Sequence, residues 1–232
     1  EKITVFNFTD EEFKTLKVKK VKGETTWTLD KNEKGNFIKA EAEGKGSGLG
    51  KEIKIDLLKT PFINITWKIE KDLSGIIENS KKGHDYAARV FVIKKTGSTP
   101  LSNRAINYVF SSNNEVGKNW PSPYTKKSID YVLSTTQENL DTWVTVKANV
   151  KEDFMKLHGI NVEDISGVAI MTDTDNSIKT SLPNPEPLPS ASALIKLPFS
   201  LEPRVHVVSP LYFFPTFNVL NSSSVKSKTV VF

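Results

Sequence analysis

The chain has 232 residues, with 32 Lys and Arg against 27 Asp and Glu, 38% hydrophobic residues and no cysteine. The missing cysteine excludes disulfides, thiolate chemistry and cysteine-ligated zinc, and no apolar run reaches the ~18 residues of a membrane helix. The small positive balance lacks the aromatic-interleaved basic stripe of a nucleic-acid binder, so no nucleic-acid partner is expected.

Ile3-Thr4-Val5-Phe6-Asn7-Phe8 opens as a β-rich run, and residues 10–14 suit a single helical turn. Short strands follow over 16–21 and 25–29. The lysines here (Lys14, Lys17, Lys19, Lys20 and Lys22) read as a solvated edge strand that resists edge-to-edge pairing. Residues 30–36 are a turn by composition, and 37–42 alternate. Gly44-Lys45-Gly46-Ser47-Gly48-Leu49-Gly50 reads as a glycine-dense connection. A phosphate loop would open a helix, whereas Ile53, Ile55 and Leu57 alternate as a strand does. Ile63, Ile65, Trp67 and Ile69 form one apolar face of a half-buried antiparallel strand, which puts Trp67 in the core.

Residues 84–92 (His84-Asp85-Tyr86-Ala87-Ala88-Arg89-Val90-Phe91-Val92) read as a strand carrying an Asp and an Arg inside an apolar run. Strict alternation puts Asp85, Ala87, Arg89 and Phe91 on one face and Tyr86, Ala88, Val90 and Val92 on the core face. A mid-strand guanidinium needs a carboxylate or a polar ligand, so the Asp85/Arg89 face is the first candidate site. A second strand over 104–111, containing Asn107, pairs with it as a hairpin. Residues 113–125 are irregular, and the prolines of Trp120-Pro121-Ser122-Pro123-Tyr124 exclude a central strand. Trp120 and Tyr124 are either a lid over the core edge or a stacking platform.

Strands follow over 128–134 and 143–150. Residues 152–159 form a short helix closed by Gly159, with His158 at the end where a cation is favourable. A buried strand from Ile165 ends in Asp173, Asp175 and Asn176, hard oxygen ligands suited to a structural Ca2+ or to an Asx-turn role.

The motifs at 85–92, 107–110 (Asn-Tyr-Val-Phe), 120–124 and 168–176 (Val-Ala-Ile-Met-Thr-Asp-Thr-Asp-Asn) occur in one order over about residues 3–176. Together they resemble the bacterial domain-of-unknown-function family 3047. The resemblance implies an exported, periplasmic or extracellular protein with a jelly-roll-like architecture related to carbohydrate-binding modules. A chain beginning at Glu1, without an apolar leader, fits a removed signal peptide or simple trimming. All twelve glycines precede residue 178, whereas eight of the twelve prolines follow it. The expected division is therefore a sandwich domain over 1–177 and a proline-rich tail over 178–232, disordered or the product of a frameshifted reading. His206 and Tyr212-Phe213-Phe214 would then form no site.

About eleven short strands and one short helix predict an all-β antiparallel sandwich. Asp85, Arg89, Asn107, Trp120 and Tyr124 are the expected ligand-binding set, for a glycan or cell-envelope component. Two alternatives stand beside this non-catalytic module. One is a structural or protein-interaction domain in which Asp85 and Arg89 form an ion pair. The other is a glycoside-cleaving enzyme with paired carboxylates among Asp85, Asp130, Asp173 and Asp175.

Overall fold

The computed structural model describes residues 3–33, 35–99, 102–176 and 190–202. Among them, thirteen strands and three helices run in the order β1 (Ile3–Phe6), α1 (Asp10–Phe13), β2 (Lys17–Lys22), β3 (Thr26–Asn32), β4 (Gly35–Glu43), β5 (Gly46–Asp56), β6 (Phe62–Lys71). There follow β7 (Ala88–Lys94), β8 (Arg104–Ser111), β9 (Asn119–Ser122), β10 (Thr125–Thr135), α2 (Thr136–Asn139), β11 (Val144–Asn149), α3 (Val150–His158), β12 (Asp164–Asp173) and β13 (Ser190–Glu202). They make the expected antiparallel β-sandwich. One sheet has the order β11-β6-β13-β4-β3, with β1 also on β13, and the other β2-β5-β12-β7-β8-β10-β9. Among the described residues every pairing between these strands is antiparallel except β8 with β10.

Alternation builds the core between the sheets. Ile63, Ile65, Trp67 and Ile69 of β6 are fully buried against Val90 and Val92 of β7, Ile106, Tyr108 and Phe110 of β8, and Ile170 of β12. Trp67 can be buried because its Nε1–H donates to Ser134 Oγ at 2.9 Å. The lysine-rich β2 is exposed along its whole length at a sheet edge, as its composition predicts.

Four local readings are corrected. Of the glycine-dense stretch only Gly44 and Lys45 connect β4 to β5; residues 46–50 are the first half of β5, an inner strand, because Leu49 between the glycines faces the core. Residues 84–87 are not strand, so β7 begins at Ala88. Part of the irregular 113–125 is the edge strand β9, where Pro121 and its missing N–H are tolerated. The short α2 was not expected, whereas α1 is the helical turn expected over 10–14 and α3 ends at Gly159 with φ 67° as expected.

Beyond the division expected at residue 177, β13 lies between β6 and β4 and pairs with both. Its register on β6 breaks between Lys196 and Ser200, the stretch that holds Pro198. His206 and the Tyr212-Phe213-Phe214 cluster lie outside the described residues.

Candidate functional site

A cleft of about 750 Å³ crosses the outer face of the seven-stranded sheet. Its floor follows from strand register, since directly paired residues share a face. One row reads Lys17, Gly50, Ala169, Phe91, Asn107, Asp130 and Trp120 across β2, β5, β12, β7, β8, β10 and β9. The next row reads Lys19, Gly48, Met171, Arg89, Val109 and Val132. Glycines at 46, 48 and 50 repeat at the strand period, so β5 contributes bare backbone where its neighbours contribute side chains. This lowers the floor between the β2 lysines and Phe91. The period-two spacing of these glycines is itself the strand signal in the sequence.

Residues 84–87 close one end of the cleft. The Asp85 N–H donates to the Gly83 carbonyl at 2.8 Å, and the chain folds over the sheet before β7 starts. Tyr86 therefore leaves the main core expected for it and packs with Val109, Val132 and Trp120 on the outer face, while Ala87 joins the core. Beneath this cover Asp130 is fully buried. It accepts hydrogen bonds from Asn107 Nδ2 at 2.6 Å and Tyr86 Oη at 3.1 Å, and its Oδ2 lies 2.8 Å from His84 Nε2. Burial, with the Asp130 charge, pushes the Tyr86 phenol far up and keeps it a donor.

Arg89 meets Asp173 rather than Asp85 in an ion pair whose two residues are 4% and 1% exposed. Its guanidinium sits 5.2 Å from the centre of the Tyr86 ring and 5.4 Å from that of Phe91. Asp85 is fully buried off the shared face and accepts from Asn176 N at 3.0 Å and Nδ2 at 2.9 Å. Asp85, Asp173 and Asp175 offer oxygens within 4.8 Å of one another, a set that could hold a metal ion. Burial pushes Asp173 up to about 8, with Arg89 opposing the rise and Asp85 adding to it. Asp175 is raised by burial and by the Asp85 charge. Asn176 is spoken for: its Oδ1 accepts from Tyr124 Oη at 2.6 Å.

Of the five residues expected to bind ligand, Arg89, Asn107 and Tyr124 line the cleft, and Asp85 and Trp120 do not. The two aromatics of the proline-bearing stretch divide their roles. Trp120 packs on Tyr86, while Tyr124 stands 55% exposed at the rim with its ring edge-on to His84. His158, expected as a helix-end cation, instead lies half-buried against the Phe154 ring with Nε2 2.9 Å from the Ala105 carbonyl. Burial lowers its pKa.

Among the described residues, five buried side-chain polar atoms have no partner. Arg89 Nε, Asn103 Oδ1, Asn107 Oδ1 and Asp175 Oδ1 belong to cleft-lining residues, and the fifth is Trp120 Nε1. Native interiors pair nearly all such groups, so their concentration at one cleft is informative.

The family model described as protein of unknown function (DUF3047) matches residues 11–182. No curated protein matches the sequence. Solved structures similar to the chain include a family 30 carbohydrate-binding module of a cellulosomal cellulase of Clostridium thermocellum. It is 7% identical, with 87% of this chain and 98% of that chain covered and a TM-score of 0.46. A family 61 carbohydrate-binding module in complex with β-1,4-galactotriose is 8% identical over 85% of this chain and 99% of that one, with a TM-score of 0.37. A cellulase derived from that of Rhodothermus marinus is 10% identical over 78% and 100%, with a TM-score of 0.40.

Proposed function

The chain belongs to the DUF3047 family of proteins of unknown function, and from that premise we propose that its cleft is a non-catalytic binding site for a polysaccharide chain. The observation that carries this reading is the set of unpartnered buried atoms at the cleft. Arg89 Nε is a donor, and Asn103 Oδ1, Asn107 Oδ1 and Asp175 Oδ1 are acceptors. Sugar hydroxyls donate and accept at once, so they complement such a mixed set. Leaving each buried group unpaired costs about 1–3 kcal/mol, which a hydroxylated ligand recovers.

The apolar faces of sugar rings need flat partners. Phe91 on the floor and Tyr124 at the rim supply them, with Ile93 and Met171 beside the track. The row from Lys17 to Asn107 crosses four strand spacings, roughly 19 Å at about 4.8 Å each, which accommodates several linked rings. Arg89 and Asp173 hold the end of the cleft in shape, and Arg89 Nε is the one donor there left without a partner. A ligand of this kind places the protein's work in the cell envelope or outside the cell. Among the described residues no helix is long and apolar enough to cross a membrane.

The test is a polysaccharide and glycan-array screen of the wild type, followed by Tyr124→Ala and Phe91→Ala. Tyr124 is exposed, so its variant should keep the wild-type melting temperature and lose at least about tenfold in affinity, or ~1.4 kcal/mol. A folded wild-type chain that binds no glycan, or an unimpaired pair of variants, would overturn the reading.

A further inference from the structure

We infer that the polysaccharide taken by this cleft is anionic, carrying carboxylate or sulfate groups along one edge; the inference rests on the glycan reading above. Its basis is the distribution of charge across the floor. Lys17 and Lys19 lie two residues apart on one face of β2 and stand directly opposite Gly50 and Gly48. Side chains at i and i+2 of a strand are about 6.8 Å apart, and the glycines opposite them put nothing between the ammonium groups and the open floor.

Lys95 approaches the same end from just beyond β7, and one carboxylate serves this corner. Glu52 lies 3.3 Å from Lys17 Nζ and 3.6 Å from Lys95 Nζ, and the two ammoniums hold it below the usual carboxylate range. The Lys19 ammonium takes part in neither of the ion pairs at this corner. Of the four lysines that line the cleft Lys51 is paired with Glu12, so Lys17, Lys19 and Lys95 face one glutamate, leaving two positive charges in excess. At the end of the strands where β12 finishes, Asp173 and Asp175 outnumber Arg89. Across the strands the cleft is polarised, with Lys17 and Lys19 on β2 and the unpartnered Asn103 and Asn107 oxygens at the β8 side.

A sugar acid polymer presents both anionic groups and hydroxyls on each residue. A single-stranded nucleic acid is a poorer fit, because it presents few hydroxyls and needs successive stacking platforms, and the cleft offers Phe91 and Tyr124 alone. A solvated edge strand would also carry lysines, but it would not need them aligned with a glycine-floored trough.

The experiment measures binding of the full chain to polygalacturonate, to its fully methyl-esterified neutral form, to a sulfated galactan, to an unsubstituted galactan and to a single-stranded oligonucleotide. Each is measured at about 20 mM and about 300 mM salt, where screening lengths differ severalfold. The expected result is binding of an acidic glycan that falls with salt and weakens about two- to fivefold per lysine in Lys17→Ala and Lys19→Ala, as exposed ion pairs contribute. The polygalacturonate and sulfated arms identify which anion is taken. Equal binding of the esterified or unsubstituted glycans would overturn the inference and leave the glycan reading standing. Binding to none of the polysaccharides would overturn both. Oligonucleotide binding at equal strength, with the same lysine dependence, would replace the inference with a general polyanion site.

Discussion

Arg89 reaches across 84 positions of sequence to pair with Asp173, while Asp85, four residues upstream of Arg89, is held by Asn176. The arrangement ties three segments together at the closed end of the cleft: residues 84–87, the start of β7 and the end of β12. One guanidinium faces three carboxylates there, counting Asp175.

Arg89→Ala should therefore destabilise the fold by about 3–5 kcal/mol, the usual cost of removing one member of a buried pair. The loss should be largest above pH 8 and smaller near pH 6, where Asp173 can take up a proton in place of the lost cation. Urea denaturation at the two pH values measures it. A variant as stable as the wild type at both would show that the pair contributes nothing.

Asp173 also sets a pH dependence in the wild type. Its folded-state pKa, about 8, lies above its ordinary 3.8, so the folded state binds more protons than the unfolded state between these values. Stability then falls as pH rises through that window. Asp173→Asn should flatten the slope of unfolding free energy between pH 5 and pH 8. An unchanged slope would assign the proton elsewhere.

Glycine substitutions should separate fit from floor depth. A Cβ on Gly46 would meet Asp173 Cβ at 2.6 Å and Asp175 Oδ1 at 2.7 Å, whereas one on Gly50 would meet Ala169 Cβ at 3.7 Å, an ordinary contact. Gly46→Ala should cost about 1–3 kcal/mol by overpacking, and Gly50→Ala should fold as well as the wild type. Thermal melts of the two distinguish them, and equal melting temperatures would refute the packing argument.

Glu78 anchors the loop after β6. Its carboxylate accepts from Ser111 Oγ at 2.5 Å, Ser112 N at 2.7 Å and Asn114 Nδ2 at 2.6 Å while 1% exposed. Glu78→Ala strands these donors, each at about 1–3 kcal/mol, and should speed amide exchange through residues 72–83. Wild-type exchange rates in the variant would count against that role.

Periodicity made the sandwich readable. The alternation of Ile63, Ile65, Trp67 and Ile69, the Gly159 helix stop and the lysine edge strand all express local rules that tertiary packing did not override. The candidate site was legible only in pieces. Arg89, Asn107 and Tyr124 stood out as polar or aromatic residues in a β-rich chain, but their partners depend on long-range pairing. Alternation carried one turn too far put Asp85 and Arg89 on a common face, because nothing local announces that the strand starts at Ala88. Glycine commonly marks turns, but its period-two repeat at 46, 48 and 50 marks a strand, whose Gly48 and Gly50 line the floor. His84 and Asp130 come together over 46 residues and leave no local mark.

Placement of β13 between β6 and β4 has a bearing on biosynthesis. As the polypeptide leaves the ribosome, β4 and β6 emerge long before the strand that joins them, so until residues 190–202 are made each keeps an open edge facing an empty lane. That waiting period spans more than a hundred residues of translation. The half-built sheet is a template for pairing with any extended segment nearby. Productive folding must then either wait for the chain to be completed or rely on a holding factor that keeps the lane clear.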